Sequence, residues 1–119
     1  MMNKIDYEGR IFRAAQTSSA GEVDGRTTFH YRQSGSIVTA EYSGGDIASG
    51  HLVAIADEDG RLDMRYHHVN SSGELMTGTC RTTPELLPDG RLLLHEKWQW
   101  TSGDLASGTS ILEEVRENS

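Results

Sequence analysis

The sequence predicts an all-β, single-domain fold, an up-and-down antiparallel meander of eight to nine strands closed into a barrel, with a two-sheet β-sandwich as the fallback. Three observations predict it. The chain has 119 residues, the size of one ordinary domain, so residues 1–119 are assigned to a single core, with a frayed tail from about residue 116. It carries 13 glycines and two prolines, so glycine is the main punctuation. Between those glycines lie segments of roughly 8 to 12 residues, rich in Thr, Val, Ile, Tyr and Trp, that alternate with the period of a strand and not of a helix.

The glycines form an ordered series along the chain. Gly21-Glu22-Val23, Gly45-Asp46-Ile47, Gly73-Glu74-Leu75 and Gly103-Asp104-Leu105 each read glycine, acidic, aliphatic. Gly9-Arg10-Ile11, Gly35-Ser36-Ile37, Gly60-Arg61-Leu62 and Gly90-Arg91-Leu92 alternate with them. Three of the acidic kind extend to a second glycine, at Gly50, Gly78 and Gly108. A tight reversal between antiparallel strands needs positive φ, which glycine reaches without a Cβ clash, so each signal marks a hairpin turn. Consecutive turns then fall at opposite rims: Gly21, Gly45, Gly73 and Gly103 at one, Gly9, Gly35, Gly60 and Gly90 at the other. The segment Thr83–Asp89, which holds both prolines, reads as the one long irregular connection. Closure removes the unpaired edges that an open meander would expose.

Alternation then separates inside from outside. In the strand from Arg91 to Thr101, Leu92, Leu94, Glu96, Trp98 and Trp100 share the inner face, and Glu96 enters with the tryptophans. From Arg61 to Asn70, the inward set is Leu62, Met64, Tyr66 and His68; from Thr27 to Gln33 it includes Phe29 and Tyr31. A turn at Ser71-Ser72-Gly73 sets Gly78 opposite Tyr66 and Met76 opposite His68. The Gly103 turn sets Trp98 opposite Gly108, and the Gly60 turn sets Gly50 near Tyr66. Across the proline segment, a plausible register places Glu96 beside Gly78 and Trp98 beside Met76. Small residues beside large aromatics fill a small barrel or preserve a pocket in it.

The net charge is −7, with 11 basic against 18 acidic residues, and no basic run, so no nucleic-acid partner is expected. No apolar run approaches a membrane span and residues 1–10 show no secretory signal, so a cytoplasmic bacterial-type protein without a membrane partner is the expectation. The single Cys80 precludes an intrachain disulfide and reads as a small core residue. His67 and His68 point to opposite faces, and the other histidines show no metal-ligand spacing, so neither a metal nor another cofactor is expected. Asp46, Glu74 and Asp104 share a rim and read as solvated turn residues. No glycine turn joins a strand to a helix with a lysine, as a phosphate loop requires.

The stretch Leu94-His95-Glu96-Lys97-Trp98-Gln99-Trp100-Thr101-Ser102-Gly103-Asp104, with Gly108-Thr109-Ser110, Tyr42-Ser43-Gly44-Gly45 and Thr83-Pro84-Glu85, resembles a family of small bacterial proteins often labelled N-acetylglutamate synthase. Acetyltransferases of that kind hold a pyrophosphate on a glycine-containing loop that starts a helix. This sequence offers neither loop nor helix, so that activity is not expected. The segment Trp98-Gln99-Trp100-Thr101-Ser102-Gly103 is similar to the tryptophan-containing strand of the avidin and lipocalin-like barrels, streptavidin among them. That resemblance implies a barrel with Trp98 lining a ligand pocket.

The expected function is therefore binding of a small, partly apolar ligand in the barrel interior, against Tyr31, Tyr66, His68, Glu96, Trp98 and Trp100. A barrel with a filled core, acting through its outer surface as a homodimer or accessory subunit, is the alternative. A small hydrolase or isomerase using Glu96 and His68 as acid and base is a second alternative. Interior volume separates them: a solvent-connected cavity of roughly 300 Å³ or more serves a ligand, whereas a packed interior leaves only the surface.

Overall fold

The structure is a computed structural model that describes residues 5–17 and 21–115; the tail from residue 116 lies outside them. Eight strands form: β1 (Ile11–Thr17), β2 (Thr28–Ser34), β3 (Ile37–Gly44), β4 (Ile47–Ala56), β5 (Leu62–Asn70), β6 (Leu75–Leu86), β7 (Leu92–Trp100) and β8 (Ser107–Glu114). Each pairs antiparallel with its neighbour in sequence, and β8 closes on β1. The sheet therefore has no free edge, and the sandwich alternative is excluded.

Among the described residues eight strands form and not nine, and residues 5–8, ahead of the Gly9 turn, plug one end of the barrel. Tyr7 is fully buried; its hydroxyl donates to the Gly60 carbonyl at 2.6 Å and its ring stacks on Tyr31 at 5.7 Å. Glycines 9, 35, 45, 60, 73, 90 and 103 have φ between +62° and +90°, the backbone that the turn reading requires. At Gly60 a side chain would also meet Ile5 beside the plug, at 2.8 Å. Glycine is doubly required there, by conformation and by space.

The structure corrects three details of the sequence reading. Thr83–Leu86 is not a loop but the end of β6, where Pro84 pairs with Leu94. The last pair between β5 and β6 is Leu62 with Thr82, so beyond it β6 lacks that neighbour, and an edge tolerates proline. This lengthened strand shifts the register across the hairpin: Glu96 pairs with Thr82, Trp98 with Cys80 and Trp100 with Gly78, instead of Glu96 with Gly78 and Trp98 with Met76. Gly50 pairs with Tyr42 and His68, and Tyr66 with Leu52, so Gly50 makes room for the Tyr42 ring, which an added Cβ would meet at 2.5 Å. A bulge at Ala48 turns two successive residues outward and returns Gly50 to the inner face.

The long connection is the one between β1 (ending at Thr17) and β2 (starting at Thr28), in place of the tight turn that the sequence predicts at Gly21. β1 and β2 share three paired positions, whereas β2 and β3 share seven. The barrel is thus least tightly joined at the seam where its longest loop leaves. Its two ends also differ: Tyr7, Phe12, Val38, Leu62, Leu92, Leu94 and Leu112 are buried at the Gly35, Gly60 and Gly90 end, and a cavity lies toward the other.

Candidate functional site

The cavity is about 50 Å³ and runs from the Gly21, Gly45, Gly73 and Gly103 rim into the barrel. Alternation on β5 and β7 delivers Tyr66, His68, Glu96, Trp98 and Trp100 to its wall, joined by Phe29 and Tyr42 from β2 and β3. The aromatic rings contact one another: Trp98 with Trp100 at 5.8 Å, Trp100 with Tyr66 at 5.7 Å and with His68 at 5.5 Å. Such tilted and edge-on pairs hold the rings in place. Gly78 keeps its inner side clear for the Tyr66 ring, which an added Cβ would strike.

Glu96 forms the polar part of the wall. It is half-buried and accepts long hydrogen bonds from Ser110 Oγ at 3.3 Å and Thr82 Oγ1 at 3.5 Å. Burial pushes its carboxyl up from the ordinary 4.5 to about 7, with the two hydroxyl bonds pulling the other way. No Lys, Arg or His among the described residues forms an ion pair with it. Near neutral pH it can therefore donate as an acid or accept as a carboxylate. Cys80 lines the same wall, and burial raises its thiol far above the range of a nucleophile.

His68 is not the partner of Glu96. It is 1% exposed, and both ring nitrogens are engaged: Nδ1 lies 3.0 Å from the Tyr42 hydroxyl and Nε2 lies 2.8 Å from Glu22 Oε1. Asn70 Nδ2 donates to the other Glu22 oxygen, Oε2, at 3.0 Å. The acid and base pair expected for an enzyme is therefore not assembled. His67 is exposed, on the outer face. Among the described residues no group of three His, Cys, Asp or Glu is placed to hold a metal ion.

Tyr31 points inward but does not line the cavity. It is 1% exposed and packs beneath the cavity against Tyr7 and Phe12, at 5.7 and 5.0 Å. Glu22 is the site residue that sequence reasoning misses, because Gly21-Glu22-Val23 has the pattern of one more hairpin turn. A signal was present: the other three acidic turns run on to a second glycine five residues later, and Gly21 does not. That departure from the repeat marks the loop that enters the mouth, where Glu22 and Val23 line the cavity.

A family model described as Avidin-like protein matches residues 5–115. No curated protein and no solved structure matches the chain.

Proposed function

We propose, from the premise that this chain belongs to the avidin-like protein family, that it is a binding protein whose small, partly apolar ligand sits in the barrel interior. Tyr66, Trp98 and Trp100 would take the apolar body, Glu96 would hydrogen-bond a polar atom deep in the barrel, and His68 would face the ligand near the mouth. The observation that carries this reading is a mostly aromatic cavity wall holding a half-buried carboxyl that has no ion-pair partner among the described residues. Packing alone gains little from such a group, since the two long bonds from Ser110 and Thr82 only partly offset the cost of desolvating an acid.

The free volume bounds the ligand. A dry cavity of about 150 Å³ takes benzene, and about 50 Å³ is less than one ring. It also falls below the roughly 300 Å³ that a preformed pocket for a larger ligand needs. Binding a ring therefore requires the side chains in the mouth, Glu22 and Val23, to move aside.

The narrow interior also favours a second reading, in which the core is filled and the protein acts through its outer wall. Ile37 and Ile55 pair across β3 and β4 with 53 and 64% of their surface exposed, and Val53 beside them is 50% exposed. Native mass spectrometry of the protein purified from its own source separates the two. The binding reading expects a mass excess of a small molecule that disappears on denaturation and is lost in Trp98→Ala. A bare chain mass in a dimeric species supports the second reading and overturns the first.

A further inference from the structure

The Glu22 contact carries the proposed function further, to the chemical class of the ligand. The acceptor atoms of Asn70 are committed: Oδ1 accepts from the backbone N–H of Ser72 at 3.1 Å and of Glu74 at 2.9 Å, within the β5–β6 turn. The amide is thereby locked with Nδ2 facing Glu22 and Glu74. His68 is fixed in the same way, by the Tyr42 hydroxyl on Nδ1. Nε2 faces Glu22 Oε1 and is placed to donate to it, while Nδ1 is held by the Tyr42 hydroxyl, which also lies 3.3 Å from the His67 carbonyl. Two buried donors on adjacent inward positions of β5 thus meet the two oxygens of one carboxylate, at 2.8 and 3.0 Å.

Rigid donors at the mouth of an aromatic cavity need not belong to the acid that occupies them. The Glu22 side chain is 25% exposed, whereas the His68 side chain is 1% exposed, so a rotation of Glu22 toward solvent frees both donors and widens the mouth. We infer that His68 and Asn70 form a carboxylate-binding subsite, that Glu22 fills it in the unliganded protein, and that the ligand is a small aromatic or alicyclic carboxylate whose acid group replaces that of Glu22. This rests on the interior-binding reading.

The test uses phenylacetate and its neutral isostere phenylacetamide, titrated against the intrinsic fluorescence of Trp98 and Trp100, the two tryptophans of the chain. Glu22→Gln keeps the size of the occupant but offers one acceptor where the clamp needs two, so it competes less well. Phenylacetate is expected to bind this variant at least tenfold more tightly than the wild type, and phenylacetamide to change less than threefold. Adding Asn70→Asp retains the acceptors that cap the turn, replaces the clamp donor with a like charge, and should abolish the gain for phenylacetate alone. Equal gains for acid and amide in Glu22→Gln would show that Glu22 is only a steric stopper; that overturns the carboxylate subsite and leaves interior binding standing. No fluorescence response to either probe in any of the three proteins overturns interior binding as well.

Discussion

The two ends of the barrel are made from the same hairpin grammar and put to different use. At the Gly35, Gly60 and Gly90 end the inward positions are mostly aliphatic or aromatic, with Thr82 opposite Leu62 the buried polar exception, and Tyr7 seals them with a hydrogen bond to the Gly60 carbonyl. At the Gly45, Gly73 and Gly103 end the inward positions include His68 and Asn70, and the β1–β2 loop lends an acid to satisfy them. Closing a sheet on itself satisfies the backbone at both ends equally. The ends differ only in what the inward side chains demand: apolar groups ask for contact, polar groups ask for a partner. One end is therefore filled, and the other keeps a small space whose polar wall is partnered by Glu22.

The sharpest way to break this contrast is to hollow out the closed end. Phe12 is fully buried there, edge-on to Tyr31 at 5.0 Å, and Phe12→Ala should lower unfolding free energy by about 3–5 kcal/mol in a urea titration. A loss under about 1 kcal/mol would mean that the closed end is not the stabilising half.

Glu96 sits where the halves meet, and its effect is legible in pH. Its carboxyl is raised to about 7 in the folded protein from an ordinary 4.5, so the folded state holds the proton more tightly than the unfolded chain. The associated stability is present in full below about pH 4.5 and is lost as pH rises through 7. Unfolding free energy measured for wild type minus Glu96→Gln should fall by about 2–3 kcal/mol across that window. A flat difference would place Glu96 in bulk solvent and remove the polar wall of the site.

Tyr31 gives the smallest effect, with the opposite sign. Its hydroxyl is buried and makes no hydrogen bond within the described residues, so Tyr31→Phe should leave stability unchanged or raise it by about 1 kcal/mol, read from the urea midpoint. A loss above about 1 kcal/mol would show that the hydroxyl has a partner in solution, extending polar character into the closed end.

Much of this was legible before any coordinates. Turn glycines announce reversals through φ, and alternation places Trp98, Trp100, Tyr66 and His68 inward, because both are local properties of a few consecutive residues. The Tyr66–Gly78 and Trp98–Gly108 pairs followed from short turns of known length. The β6–β7 register failed because its turn was misjudged: Pro84 looked like a breaker, and only the absence of β5 at that height lets a strand run through it. Gly21 failed for a related reason, since the same three residues make a tight turn when strands follow closely and a loop when they do not.

By itself, then, the sequence determined the strand count to within one, the alternation of rims and the inward phase of the large aromatics, because dihedral preference and period-two geometry act over neighbouring residues. Tertiary structure alone decided which inward residues meet. The partnership of Glu22 with His68 and Asn70 spans 46 and 48 residues, the isolation of Glu96 from His68 depends on a register set by a whole hairpin, and the size of the cavity depends on how eight strands tilt and close. Those are consequences of barrel closure, which brings together residues that no local pattern relates.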